Sequence, residues 1–112
     1  KDRQPTIEDL MDHVEHLARL VGPEHLGFGG DLTYGFQEQK ITLPEVKVWR
    51  TRRPDVFGPL HEFQAAVYPK EIDHHRKFPN LTRALVRRGF PDDQIRGILG
   101  GNFLRVFEQI CG

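Results

Sequence analysis

One carboxylate of the chain follows a stretch that could carry it into a catalytic site. Residues 25–31 are mostly apolar and rich in glycine, which predicts a short buried strand where another backbone or a ligand comes close. Asp31 ends this stretch directly after Gly29 and Gly30, and enzymes with parallel sheets carry their catalytic side chains at such strand ends. A carboxylate there could orient water and move a proton. The plainer interpretation is an aspartate that caps a turn.

Six histidines could in principle bind a metal, but their spacing does not build a site. His13 and His16 lie three residues apart on a predicted helix, and no third ligand follows at a suitable spacing. The other four are an adjacent pair and two isolated residues: His74, His75, His25 and His61. We therefore predict no metal ligand in this chain.

Four basic residues surround a tryptophan, since Lys47, Arg50, Arg52 and Arg53 flank Trp49. Such a cluster can hold a phosphate or stack on a nucleobase. The chain has 16 basic and 16 acidic residues, however, and this balance argues against a nucleic-acid partner. A solvated loop or a subunit contact explains the cluster better. A third interpretation is an active-site loop in which one arginine meets a substrate carboxylate.

The composition is that of a soluble domain. With 112 residues, of which 38% are hydrophobic and 29% charged, the chain makes one domain at most. It has no apolar run near the roughly 18 residues that cross a membrane, and residues 1–5 do not resemble a signal peptide. The single cysteine, Cys111, excludes an internal disulfide and a cysteine-based zinc site, and we expect it to be inert. Together these features favour a cytoplasmic location.

Helical periodicity predicts the elements on either side of a long loop. Helices are expected at residues 6–21, 79–88, 92–99 and 103–110. Thr6 is a suitable N-cap for the first helix, and Asn102 for the last. Residues 36–77 carry four prolines and no sustained period, which predicts a long loop that could contain a small hairpin at 40–49.

These helices present more apolar faces than one strand can cover. A lone central strand would also leave its backbone donors and acceptors unpaired on both sides. We therefore predict that the chain needs strands from elsewhere, because helix, strand, long loop and helix follow each other as in the last units of a parallel α/β barrel. The predicted fold class is α/β, the C-terminal portion of a TIM-like (β/α)8 barrel that is incomplete alone.

Two groups of motifs resemble the membrane (renal) dipeptidase family of M19-type zinc peptidases. The first group, similar to the family's penultimate helix and last barrel strand, reads TIEDL at 6–10, DHV at 12–14 and VGPEHLGFGGD at 21–31. The second group, similar to its C-terminal helices, reads FPNLT at 78–82, AL at 84–85, RGF at 88–90 and ILGGNFLRVFE at 98–108. By this resemblance the whole chain is one C-terminal barrel segment, divided into residues 6–35 (helix and last strand), 36–77 (active-site-side loop) and 78–112 (C-terminal helices).

The resemblance implies a zinc-dependent dipeptidase. Family members hydrolyse dipeptides with two zinc ions bridged by a carboxylate, and the zinc ligands lie on earlier strands that this chain lacks. Asp31 matches the family's acidic residue at the end of the last strand, beside the bridging water and the substrate amine. It is therefore our candidate catalytic and substrate-binding residue. The implied partners are the rest of the barrel, from the same protein or another chain, a dipeptide substrate and a second copy in a homodimer.

The chain departs from the family pattern directly after this aspartate. The family usually continues Asp-Phe-Asp-Gly, whereas Asp31 is followed here by Leu32, Thr33, Tyr34 and Gly35. The second acidic residue is missing, and Tyr34 is our second candidate for substrate binding. The alternative to an enzyme is a non-catalytic helical interaction module that binds a partner through its apolar faces.

Overall fold

A computed structural model describes residues 3–32, 44–59 and 67–112. It divides into a larger unit, residues 1–32 with 68–112, and a smaller unit, residues 33–67. In chain order the α-helices are α1 (Ile7–Val21), α2 (Pro44–Arg52), α3 (Pro54–Phe57), α4 (Pro79–Arg87), α5 (Asp92–Arg96) and α6 (Asn102–Cys111). Short 3-10 turns span Pro23–His25 and His75–Lys77, and a kinked segment, Gly97–Gly101, with a non-helical backbone at Gly100, joins α5 to α6.

Helix α1 begins and ends where the sequence predicts. Thr6 and Asp9 form a reciprocal capping box, in which the Asp9 amide donates to the Thr6 hydroxyl and the Thr6 amide donates to the Asp9 carboxylate. This arrangement satisfies two amide groups that the first helical turn otherwise leaves without partners. Gly22 ends the helix with a φ of 91°, a conformation that glycine adopts without steric cost.

The core of the larger unit lies between α1, α4 and α5. Its buried side chains are Ile7, Met11, Ile72, Leu81, Ala84, Leu85, Ile95 and Ile98. Phe28 and Leu26 pack against this cluster from the segment that follows α1. The periodicity that predicts the helices also predicts most of this core, because the apolar positions of each helix fall on one face.

Helix α6 contributes no buried residue to that core. Its apolar side chains point to solvent: Phe103 is 61% exposed, Phe107 65% and Ile110 77%. No described residue buries this face, and the prediction that the chain needs strands from elsewhere to cover its helices stays a prediction.

The strand predicted at residues 25–31 is not formed by the described chain. His25 ends a 3-10 turn, and residues 26–32 have no regular secondary structure. The Phe28 amide donates instead to the helical carbonyl of Ile98, at 3.2 Å. A strand needs neighbouring strands as partners for its backbone groups, and no strand occurs in residues 3–32, 44–59 or 67–112. The α/β class is thus not visible here, and the described chain is helical.

The long loop predicted at residues 36–77 contains helices where it is described. Helices α2 and α3 belong to the smaller unit, and α2 replaces the described part of the hairpin predicted at 40–49. Pro44 begins α2, which suits a residue whose missing amide costs nothing in a first helical turn. Within the described ranges, no helix has both the length and the apolar character needed to cross a membrane.

Candidate active site

Asp31 lies at the end of the segment that follows α1, with its side chain accessible. The residue is exposed, and its φ of 46° lies in the left-handed region. Aspartate tolerates this region better than most residues. Among the described residues, the Asp31 carboxylate has no hydrogen-bond or ion-pair partner, and it caps no described amide group.

The backbone of Asp31 is held although its carboxylate is not. The hydroxyl of Tyr68 donates a hydrogen bond of 3.0 Å to the Asp31 carbonyl oxygen. Tyr68 is held in turn by Gln4, whose Nε2 lies 3.3 Å from the Tyr68 carbonyl oxygen. The bond joins two residues separated by 37 positions, so it ties the segment after α1 to the start of the segment before α4.

A second contact holds the residue before Asp31. The Phe78 ring covers Gly30 so closely that a Cβ on Gly30 would lie 2.5 Å from a ring carbon. Phe78 also packs edge-on against Phe28, with 5.5 Å between the ring centres. Only glycine fits at position 30 without moving this ring, and this close approach is the kind of constraint that the glycine-rich pattern predicts.

The start of the same segment is fixed by α6. The Asn102 side-chain amide donates to the carbonyl oxygens of Pro23 and Leu26, at 2.9 and 2.8 Å. Arg105 donates to the Glu24 carbonyl oxygen at 2.6 Å. Asn102 therefore does not act as the N-cap predicted from the sequence, because its side chain binds the segment and the cap position falls on Gly101.

Of the two predicted site residues, the structure describes Asp31. Asp31 is exposed, and its catalytic and substrate-binding function stays a prediction. Tyr34 lies outside the described residues, so its predicted contact with substrate stays a prediction. The described residues include no group of three or more histidine, cysteine, aspartate or glutamate side chains that could hold a metal ion.

The described histidines have local roles. His13 and His16 are exposed on α1. The Nδ1 atom of His74 accepts a hydrogen bond of 3.1 Å from the Arg76 amide and caps a 3-10 turn. The ring of His75 packs against Phe78, with 5.5 Å between centres. His25 has its Nε2 atom 3.6 Å from the Glu24 carboxylate, whereas His61 lies outside the described residues.

The basic cluster around Trp49 lies in the smaller unit, on α2 and just after it. Arg50 donates to the Pro59 carbonyl oxygen at 3.1 Å. Arg53 pairs with the Asp55 carboxylate at 2.8 Å, and this hydrogen bond lowers the pKa of Asp55. Trp49 packs near Phe57, with 6.1 Å between ring centres. These contacts make two arginines part of the local structure, and they are the contacts of a solvated helical segment.

The larger unit also contains a cavity that does not include Asp31. It has a volume of about 290 Å³ and lies between α1 and the turn from α4 to α5. Its walls include Arg88, Glu15, Arg19 and Gln94. Arg88 is engaged there by carboxylates of α1, and its hydrogen bond to Glu8 is the largest of the effects that raise its pKa. We assign this cavity no role, because its most buried charge already has partners.

Sequence reasoning missed three residues that contact the Asp31 segment: Tyr68, Phe78 and Asn102. No local signal identifies them, because each acts on a segment at least 37 positions away in the chain. Tyr68 moreover falls in a stretch without periodicity. The paired glycines before Asp31 were the one available signal, since a glycine that must stay small implies a close neighbour.

Comparison with known proteins gives one consistent result. A family model described as "Membrane dipeptidase (Peptidase family M19)" matches residues 61–111. The relatives include "Dipeptidase verJ" of Clonostachys rogersoniana, 28% identical over 95% of this chain and 20% of its own length. "Dipeptidase aclJ" of Aspergillus oryzae is 26% identical over 94% of this chain and 18% of its own length. "Dipeptidase 3" of Rattus norvegicus is 23% identical over 93% of this chain and 15% of its own length.

The chain thus spans a fifth or less of the length of these curated relatives. No solved structure matches it significantly. The family match covers α4, α5 and α6, and the relatives extend the similarity across α1 and the Asp31 segment. The chain is thus similar to the membrane dipeptidase family, peptidase family M19, over residues 61–111, and to relatives named dipeptidases over most of its length.

Proposed function

We propose that this chain is part of a metal-dependent dipeptidase and supplies an acidic residue, Asp31, to its active site. The observation that carries the proposal is that relatives named dipeptidases align with 93–95% of the chain, a range that contains the Asp31 segment. The Asp31 carboxylate is exposed and has no partner among the described residues, which supports the assignment. A side chain with a purely structural function would be expected to bind a neighbouring amide or cation.

The proposed function of Asp31 is to hold the attacking water and to transfer a proton from it. In peptide hydrolysis, the water oxygen bonds to the amide carbonyl carbon, the carbon–nitrogen bond breaks, and the leaving nitrogen must gain a proton. Asp31 would accept the proton from the water and deliver it to that nitrogen, as a general base and then a general acid. Two zinc ions, bound by residues outside this chain, would polarise the carbonyl and favour ionisation of the water.

A complete active site requires the rest of the barrel. The chain covers only 15–20% of the length of its relatives, and α6 exposes an apolar face that no described residue buries. We propose that the remaining barrel packs on this face, since apolar patches of that kind are rare on the surface of independent domains. Substrate contact by Tyr34, a homodimer and a cytoplasmic location also stay proposals.

Substitution of Asp31 in the complete enzyme tests the assignment. Asp31→Asn keeps the shape of the side chain but removes its charge and basicity, so we expect kcat for a dipeptide to fall about 10²–10⁴-fold. Metal content and melting temperature should stay close to those of the wild type. Asp93→Asn is the matched control, because Asp93 is an exposed aspartate in the first turn of α5, and it should retain full activity.

The result separates the catalytic function from the turn-capping one. If Asp31→Asn lowers the melting temperature and leaves kcat unchanged in the fully metal-loaded enzyme, Asp31 is a structural residue and the catalytic assignment is wrong.

The second candidate function is a helical interaction module without catalysis. The exposed apolar face of α6 favours it, because an independent module would need such a face to bind a partner. The two candidates differ in what the isolated chain does. A module folds by itself as a metal-free monomer, whereas a barrel segment needs the remaining strands.

A further inference from the structure

We propose that Tyr68 is a positioning residue that sets the orientation of the Asp31 carboxylate by holding the backbone carbonyl of the same residue. The inference rests on the proposed catalytic function of Asp31. It adds a residue from the segment before α4, more than thirty positions away, to the machinery of the active site.

The backbone conformation of Asp31 explains how the hydrogen bond from Tyr68 can orient the Asp31 side chain. With a φ of 46°, Asp31 occupies a small allowed region in which the direction of its Cβ depends closely on the two peptide groups around it. The Tyr68 hydroxyl fixes one of those groups by a hydrogen bond of 3.0 Å to the carbonyl oxygen. Rotation of that peptide would move the Asp31 carbonyl away from Tyr68. The hydrogen bond therefore favours one backbone conformation of Asp31 and one direction for its Cα–Cβ bond.

Tyr68 can act in this way because its own segment is anchored. Ile72 is buried, and its amide donates to the Pro69 carbonyl oxygen at 3.0 Å. Lys77 donates to the Lys70 carbonyl oxygen at 2.8 Å, which closes the turn that leads to α4. The Tyr68 carbonyl oxygen is itself bound by Gln4. The Tyr68 hydroxyl therefore lies on a segment that is itself held in place.

Phe78 limits the movement of the same segment one residue earlier. Its ring covers Gly30 and packs against Phe28, so the chain cannot shift towards α4 without a clash. Tyr68 and Phe78 together hold the backbone on both sides of the peptide between Gly30 and Asp31. The Cα–Cβ bond of Asp31 then points in one direction, which reduces the range of positions that the carboxylate can sample, a form of preorganisation that catalysis rewards.

Steady-state kinetics of Tyr68→Phe in the complete enzyme tests the inference. The substitution removes one hydroxyl and keeps the ring, so we expect the fold to persist and kcat to fall roughly 10-fold. KM should change much less, because the interaction lost is one made mainly in the transition state. In the Asp31→Asn background the same substitution should cause no further loss, since the residue that it positions has already lost its function.

Arg105→Met is the matched control. It also removes a hydrogen bond from a side chain to a backbone carbonyl of the same segment, at Glu24, but it does not contact Asp31. We expect its kcat to equal that of the wild type. Gly30→Ala is a second, independent change, because the added Cβ would push against Phe78, and it should lower kcat in the same direction as Tyr68→Phe.

The outcomes distinguish this inference from the function on which it rests. If Asp31→Asn abolishes activity but Tyr68→Phe and Gly30→Ala leave kcat unchanged, Asp31 is catalytic and the positioning role of Tyr68 is wrong. If Tyr68→Phe lowers kcat equally with and without the Asp31 carboxylate, Tyr68 acts by another route and the inference is also wrong. If Asp31→Asn retains full activity, the proposed function itself fails.

Discussion

Arg88 lies between α1 and α4 and contacts three carboxylates of α1. Its guanidinium nitrogens lie 2.8 Å from Glu8, 2.9 Å from Asp12 and 3.0 Å from Glu15. These acidic residues are spaced by four and three positions and therefore share one face of α1. Among the described carboxylates, Arg87, its neighbour, pairs with Glu8 alone, at 2.8 Å. Two adjacent arginines thus differ in how many α1 carboxylates they neutralise.

This difference predicts unequal effects on stability. Arg88→Met in the complete protein should lower the melting temperature, because it leaves three carboxylates of one helical face without their shared cation. Arg87→Met should lower it much less, since Glu8 keeps Arg88 as a partner. Thermal melts of the two variants at neutral pH and low salt measure the difference. Equal melting temperatures would show that the shared contacts of Arg88 do not stabilise the packing of α1 on α4.

The same contacts predict how stability depends on pH. Hydrogen bonds from Arg87 and Arg88 lower the pKa of Glu8 below its ordinary value of 4.5. A carboxylate with a lowered folded-state pKa stabilises the fold above its unfolded pKa, and this contribution is lost as the pH falls through the folded-state value. Glu8→Gln should therefore melt below the wild type at pH 7, and the gap should narrow below about pH 4.5. A gap that stays constant with pH would contradict the prediction.

Single residues were predictable only where the signal is local. The paired glycines before Asp31 identified an aspartate that the structure leaves exposed, and Thr6 was recognised as a cap because its partner lies three residues later. Tyr68 could not be found in this way, since its contact with Asp31 depends on how distant segments pack.

At the scale of elements, one side chain of α6 makes two hydrogen bonds to the segment after α1. Asn102 satisfies two carbonyl oxygens, those of Pro23 and Leu26. Its amide therefore joins the first residues of α6 to the turn that ends α1. The Phe28 amide, bound to Ile98, adds a backbone bond between the same two regions.

Replacement of this asparagine should be costly. Asn102→Ala in the complete protein removes both bonds, and we expect a loss of about 1–3 kcal/mol in the free energy of unfolding. Asn80→Ala is the control, because Asn80 also makes two side-chain hydrogen bonds, to the Glu71 carbonyl oxygen and from Arg83, but both are exposed, whereas those of Asn102 are partly buried. Urea unfolding of the two variants gives the comparison, and a smaller loss for Asn102→Ala than for Asn80→Ala would contradict it.

Secondary-structure elements were predictable from the sequence where residues within the element itself determine it. Helices α1, α4 and α6 lie within one residue of their predicted bounds, because apolar periodicity and terminal residues determine them. The strand at 25–31 was not predictable from this chain, since strand structure depends on hydrogen bonds to neighbouring strands. Helix α2 is not predicted from the sequence because Pro44 indicates a loop, although proline is common in a first helical turn.

At the scale of the molecule, the apolar surface is divided unequally. Residues from α1, α4 and α5 share a small core, whereas α6 presents Phe103, Leu104, Phe107 and Ile110 to solvent. The opposite face of α6 carries Arg105, Glu108 and Gln109. Helix α6 is therefore amphipathic in a direction that the described chain does not use. Its sequence suits burial in a larger assembly, in agreement with the short span of the chain on its relatives.

Phe107→Glu should have different effects in the isolated chain and in the complete protein, and the comparison tests whether the rest of the protein covers α6. Phe107→Glu should make the isolated 112-residue chain less prone to associate, because it places a charge in the middle of the exposed apolar face. In the complete protein the same change should lower the free energy of unfolding by at least about 2 kcal/mol, since a buried phenylalanine is lost and a carboxylate must be desolvated.

Gln109→Glu provides the matched control, because it adds the same charge to the polar face of α6. It should leave the stability of the complete protein nearly unchanged. Size-exclusion chromatography of the isolated chain and urea unfolding of the complete protein measure the two effects. If Phe107→Glu is as harmless as Gln109→Glu in the complete protein, the face stays exposed there. The barrel then does not pack on α6, and the interaction module becomes the better account of this helix.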